Sequence, residues 1–180
     1  MNDLTTKTER LTLRPFRADG APRVRALAND FEIARMVGTL PYPYLEGLAE
    51  SWIATHPALH SAGTGYPFAV EIGGVLAGSI GVESGDRKDY ELGYWLGRQY
   101  WGRGFASEAA AAVMNFAFGR RALPYARARF ISDNAASRRV LAKTGFLATG
   151  RSTVFHTIRA CDVEMTEVIL TRDAWPPKQV

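Results

Sequence analysis

The chain is nearly without cysteine: Cys161 stands alone among 180 residues. One thiol excludes an intramolecular disulfide, a thiolate zinc cluster and a CxxC redox motif, and a reducing cytoplasm is the expected setting. Histidine is almost as scarce, at three residues. His56 and His60 stand one helical turn apart, but no third ligand is near and Pro57 disturbs the spacing, so they are read as solvent-exposed residues and no metal is expected. No run approaches the roughly twenty apolar residues that cross a bilayer. Met1 to Glu9 is polar and lacks the apolar segment of a secretory leader, so no membrane partner is expected. Strong charge bias is missing too. The formal net charge is +4, from 22 basic and 18 acidic residues, and the cations are scattered. That balance suits a small polyanion such as a nucleotide cofactor and is too weak to argue for nucleic acid. With no repeat, low-complexity tract or linker, residues 1–180 are expected to form one domain.

What is present is an ordinary core-forming composition, 47% hydrophobic and 22% charged. Leucine alternates with polar residues over Arg10 to Arg14, as in a half-buried strand that Pro15 closes. A helix from Asp19 or Gly20, with Pro22 in its first turn, carries Val24, Leu27, Ala28, Phe31 and Ile33 or Ala34 on an approximate helical period. Pro41-Tyr42-Pro43-Tyr44 cannot continue it and reads as an ordered aromatic loop, expected to serve packing, with a substrate-side wall as the alternative. A second helix is expected from about Leu45 to Leu59, with Leu48, Trp52 and Ile53 on one face. Phe68 to Val82 reads as a hairpin around Gly73-Gly74, Asp86 to Asp89 as a turn, and Tyr90 to Leu96 as a third antiparallel strand.

The segment from Gln99 to Ala106 then places Gly102 and Gly104 between that strand and an alanine-rich helix over Ala106 to Phe118. The first turn of a helix offers free N–H groups and the positive end of the macrodipole, and glycines remove side chains that would hold a diphosphate away. Taken alone, the two glycines also fit simple turn geometry. Ala126 to Ile131 is a further strand with Arg127 and Arg129 on one face. Asp133 or Asn134 caps a short helix that Gly145 ends, and two strands follow, the last over Val163 to Leu170.

Gln99-x-x-Gly102-x-Gly104-x-Ala106 matches the Gln/Arg-x-x-Gly-x-Gly/Ala signature of the GNAT superfamily of acetyl-CoA-dependent N-acetyltransferases. Asn134-x-x-Ser137-x-x-Val140-Leu141-x-Lys143-x-Gly145-Phe146 resembles the second signature in the form found in the ribosomal-protein N-terminal acetyltransferases, the RimJ/RimL branch. Glu9 to Pro15, Glu91 to Leu96 and Leu170 to Trp175 are similar to that branch as well. The resemblance implies an α/β (α+β) GNAT fold: a mixed, mostly antiparallel sheet of about six to seven strands, splayed at the acetyl-CoA site, with helices on both faces.

It also implies roles. The backbone of Gly102, Arg103, Gly104, Phe105, Ala106 and Ser107 would cradle the diphosphate, with Gln99 in the same signature and the Arg103 cation offsetting its charge. Trp95, Leu96 and Gly97 would pair with pantetheine like an added strand, and an N–H near Leu96 would stabilise the developing oxyanion. Asn134 would touch the cofactor from the other side. Arg138, Arg139 and Lys143 are candidates for the nucleotide phosphate or simply a solvated helix face. Glu91 is the candidate base, or else a strand carboxylate paired with an arginine. Many members place a tyrosine acid seven positions after the Asn134 equivalent; here that residue is Leu141. Ser137 becomes the candidate acid, with its capping role as the alternative and Tyr94 as a further option. Nothing beside Cys161 activates it as a nucleophile. The acceptor is expected to be a protein or peptide N-terminal amine, with a small-molecule amine such as an antibiotic, or a non-catalytic acyl-CoA-binding module, as alternatives. Acceptor choice is expected in the Gly38 to Leu59 region and a Ser152 to Asp162 loop, including Tyr42, Tyr44, Trp52, Phe155 and His156. Either a monomer or a homodimer is compatible with the sequence.

Overall fold

A computed structural model describes residues 4–84 and 89–175; of the expected turn at Asp86 to Asp89, all but Asp89 lies outside them. One sheet of eight strands runs through the described chain. Its strands are β1 (Thr6–Lys7), β2 (Leu11–Arg14), β3 (Gly65–Ile72), β4 (Val75–Ser84), β5 (Tyr90–Leu96), β6 (Tyr125–Ile131), β7 (Leu147–His156) and β8 (Cys161–Thr171). In space the order is β1-β2-β3-β4-β5-β6-β8-β7, antiparallel throughout except between β5 and β6. The sequence expectation of six to seven strands missed the two-residue β1, which is too short to show alternation. The expected Ser152 to Asp162 loop is also corrected: most of it is the β7–β8 hairpin, paired from Ser152↔Met165 to His156↔Cys161.

Five helices accompany the described strands: α1 (Ala21–Ala28), α2 (Phe31–Ala34), α3 (Leu48–Ala62), α4 (Phe105–Asn115) and α5 (Ala135–Thr144). The first expected helix is in fact two. Asp30 leaves helical geometry and its side chain accepts the Glu32 N–H at 2.9 Å, which starts α2 on a new axis. Ile33 and Ala34 therefore turn inward, while Phe31, expected on the apolar face, is 45% exposed. The second expected helix begins and ends three residues later than Leu45 to Leu59, with Pro57 inside it and Gly63 closing it. Its buried stripe is Ala49, Ile53 and His56, the i, i+4, i+7 set. His56, expected at the surface, is only 2% exposed and sits edge-on to Trp52 and Phe16. Tyr44 is buried in the core, which fits the packing reading of its loop and takes it out of the acceptor-side set, and its N–H donates to Asn29 Oδ1.

The two faces of the sheet carry separate cores. On one, α4 and α5 cover Phe68, Val70, Ile80, Val82, Leu92 and Leu96; truncating a ring such as Phe68 there costs roughly 3–5 kcal/mol. On the other, α1 and α3 cover Ala69, Leu76 and Trp95. Strand β5 contributes to both faces, since side chains alternate along a strand. That strand leads into the glycine turn.

Candidate active site

β5 and β6 share a single parallel pair, Glu91↔Arg127, and separate beyond it. Backbone groups of successive residues point to opposite sides of a strand. The Gly97 N–H donates to the Ala77 carbonyl at 2.9 Å, on the β4 side. By alternation, Trp95 also points to β4, where it pairs with Ser79. The polar groups of Tyr94 and Leu96 then face the gap. Of the three residues expected to offer backbone there, Leu96 has the geometry, and its carbonyl already accepts the Trp101 indole N–H at 2.7 Å.

At the head of the gap the chain makes a tight turn. Gly102 and Gly104 have φ of +71° and +81°, the left-handed region that side chains resist, and Gly104 is the N-cap of α4. No side chain caps this helix, so the N–H groups of Phe105, Ala106 and Ser107 keep their donors directed out of the helix end. Among the described residues, nothing beyond its own chain neighbours lies within 4 Å of where a Gly102 Cβ would stand. Gln99 folds back against Gly97, its Oε1 3.0 Å from the position a Cβ would take there. The Phe105 ring is core, with the Arg103 and Arg10 guanidinium groups 4.9 Å and 4.7 Å from its centroid.

Arg10 was not singled out in the sequence, yet it clasps this turn. Its Nη1 donates to the Arg103 carbonyl at 3.0 Å and its Nε to Glu108 Oε2 at 2.7 Å. Glu108 also accepts the Arg10 N–H and the Thr8 hydroxyl. Burial pushes the Glu108 carboxyl up, but the Thr8 and Arg10 hydrogen bonds outweigh it and bring the carboxyl below its usual range. Partners nearly a hundred residues apart leave no local pattern to read.

Asn134 caps α5, accepting the Ser137 N–H at 3.0 Å, while its amide donates to the Met36 carbonyl at 3.4 Å. Ser137 Oγ lies 2.8 Å from the Tyr94 hydroxyl. Burial pushes the Tyr94 phenol up to about 12 against the opposing Ser137 hydrogen bond. The two hydroxyls thus form one unit, while Leu141 is core. Arg138 and Arg139 are exposed on α5. Glu91 sits at the root of the gap, its Oε1 3.0 Å from Arg129 Nε, and its side chain is 43% exposed. Alternation puts Glu91 and Tyr94 on opposite faces of β5, about 10 Å apart along the strand. Cys161 is exposed at the far end of β8. Among the described residues no three His, Cys, Asp or Glu side chains gather as a metal site requires, and no helix is long and apolar enough to cross a membrane.

Comparison with known proteins agrees with this geometry. Residues 10–147 match the family model described as an acetyltransferase (GNAT) domain. The chain is 32% identical over 148 residues to the uncharacterized N-acetyltransferase YoaA of Bacillus subtilis, covering 80% of this chain and 83% of that one. Its fold superposes on RimJ of Mycobacterium smegmatis in complex with a CoA disulfide, with a TM-score of 0.81, 23% identity and coverage of 93% and 84%. A ribosomal-protein alanine acetyltransferase from Vibrio fischeri gives a TM-score of 0.84 at 19% identity, covering 97% of this chain and 100% of that chain. On the family match and the Bacillus relative together, this chain belongs to the GNAT family of acetyl-CoA-dependent N-acetyltransferases.

Proposed function

We propose that this acetyltransferase acts on the N-terminal amine of a protein or peptide, by direct attack across the β5–β6 gap. The observation that carries the reading is the placement of a carboxylate, Glu91, on one face of β5 and a hydroxyl pair, Tyr94 with Ser137, on the other. Acetyl-CoA supplies an activated acyl group as a thioester. The residues fit it: an uncapped helix end and open space at Gly102 suit the diphosphate, and the free edge of β5 suits the pantetheine amides. Glu91 takes the proton of the incoming amine, directly or through water, and the Tyr94–Ser137 pair holds the proton destined for the departing thiolate.

The choice of amine follows from the base. An α-amino group has a pKa near ~7.7–8.0, against ~10.4 for a lysine side chain, so an appreciable fraction is already neutral at physiological pH. An ion-paired, half-exposed carboxylate is adequate for that task. RimJ of M. smegmatis and the V. fischeri ribosomal-protein alanine acetyltransferase share the fold, which supports the same substrate class. The test is thiol release from acetyl-CoA with hexapeptides beginning in Ala or Ser, beside a panel of small amines. Turnover of the peptides is the expected result. Turnover confined to small amines moves the assignment to a small-molecule acceptor, and tight CoA binding without turnover on any amine moves it to an acyl-CoA-binding module.

A further inference from the structure

Beyond Glu91↔Arg127, the described residues of β5 and β6 have no pairing to set how far apart the C-terminal ends of these strands stand. The Tyr94–Ser137 contact nevertheless spans that gap, since Tyr94 belongs to β5 and Ser137 to the helix that follows β6. A tie outside the sheet has to fix the width.

Helix α2 is placed to be that tie. Its Ile33 belongs to the same buried cluster as Trp95, and by alternation Trp95 shares a face of β5 with Glu91, so α2 lies on the Glu91 side of the sheet. At its start, Asp30 pairs with Arg98, just past β5, at 3.7 Å. Just past its end, the Met36 carbonyl accepts the Asn134 amide at 3.4 Å, beyond the end of β6. The short helix therefore spans the open end of the gap from one wall to the other.

Arg159, in the turn between β7 and β8, secures the β6 end of this tie. Its guanidinium pairs with both carboxylate oxygens of Asp133, at 2.6 Å and 3.1 Å, and donates to the Arg35 carbonyl at 2.8 Å and toward Met36 Sδ at 3.2 Å. The Arg159 side chain is only 14% exposed, so these charge-assisted contacts stand in for its lost water. The same pairing holds the Asp133 carboxyl below its usual range. Asp133 directly precedes Asn134, whose Oδ1 accepts the Ser137 N–H at 3.0 Å. One guanidinium thus joins the hairpin tip, the segment after α2 and the turn that starts α5.

We infer that Arg159 is a positioning residue for the proton donor: it fixes α2 across the open end of the gap and thereby holds Ser137 within hydrogen-bond reach of Tyr94. It acts only through Asp133, Asn134 and α2. The inference rests on the acid role given above to the Tyr94–Ser137 pair, and it holds for any amine acceptor.

A double-mutant cycle on the full chain separates this role from one in the fold alone. The rate is kcat for thiol release at saturating acetyl-CoA, with whichever of an Ala-starting hexapeptide, a Ser-starting hexapeptide and propylamine is turned over. A displacement of about 1 Å can cost about 10²-fold in rate, so Arg159→Leu is expected to lower kcat by roughly tenfold. In a Tyr94→Phe background the same substitution is expected to cost less than about twofold, because the group it positions is already gone. Arg159→Lys, whose ammonium cannot hold Asp133 and the Arg35 carbonyl in one fork, is expected to recover only part of the loss. Asp133→Asn, at the exposed end of the pair, carries the same cycle should Arg159→Leu fail to fold, with a several-fold loss expected. An unchanged kcat in the folded variants, or a loss equally large with and without the Tyr94 hydroxyl, overturns the positioning role alone. A Tyr94→Phe variant as fast as the unaltered protein, or no turnover of any amine, overturns the acid reading and this inference together.

Discussion

Tyr94 and Ser137 illustrate how much chemistry rests on one contact. A phenol pushed up to about 12 by burial keeps its proton throughout the working pH range and is suited to donate it. Ser137 touches it at 2.8 Å. Tyr94→Phe is expected to lower kcat by about 10²-fold, within the usual range for general acid–base groups, with the KM for acetyl-CoA little changed. Ser137→Ala is expected to cost less. Because the two act as a unit, the double variant should be little worse than Tyr94→Phe, and stopped-flow or steady-state thiol release reads the difference. Equal, fully additive losses would instead mean that the hydroxyls act separately. Both residues stand in sequence signatures, but their contact does not: it depends on β5 and α5 meeting across forty-three residues.

At the scale of elements, α3 and the β2–α4 clasp each carry a prediction. Neither ring nitrogen of His56 has a partner among the described residues, and burial, then the His60 charge, lowers its pKa from 6.5 to about 4. The folded state therefore favours the neutral ring. Its contribution to stability is fully present above pH 6.5 and is lost as the pH falls through about 4. The shift corresponds to about 3 kcal/mol. His56→Phe should flatten the acid limb of a denaturant-melt series between pH 6.5 and 4, and unchanged acid sensitivity would show that other groups dominate. The clasp bears on the cofactor. Glu108→Ala releases Thr8 and Arg10 and frees the Arg103 carbonyl from its anchor. An increase in the KM for acetyl-CoA of several-fold is expected, with a loss of stability of roughly 1–3 kcal/mol by thermal melt. Arg10→Lys should raise the KM for acetyl-CoA as well, since an ammonium cannot hold Glu108 and the Arg103 carbonyl in the same fork.

For the molecule as a whole, ligand binding and stability are linked. Acetyl-CoA at a hundred times its Kd should stabilise the fold by about 2.7 kcal/mol, which for a chain of this size is a rise in Tm of roughly 5–10 °C. Gly104→Val should abolish that rise. A β-branched side chain resists φ of +81°, and its Cβ would stand 3.4 Å from Arg10 Nη2, so the turn must change shape. A full shift in a folded Gly104→Val variant would remove the diphosphate assignment from this turn.

Much of this was legible beforehand. Alternation and helical period located most elements, Gly73-Gly74 located its hairpin, and the two glycine- and asparagine-centred signatures located the turn before α4 and the α5 cap. These are local properties, set within a few residues of chain. The surface assignment of His56 failed because the apolar face of Leu48, Trp52 and Ile53 continues one turn further, where His56 packs against Phe16 and Trp52. Phe31 failed because Asp30 restarted the helix on a new axis. The separation of β5 from β6, the Tyr94–Ser137 contact and the Arg10–Glu108 clasp exist only between distant segments. The sequence by itself determined most of the elements, the family and the glycine turn between β5 and α4. Only the tertiary structure decided which side chains meet across the gap, because those pairings are fixed by sheet order and register rather than by spacing along the chain.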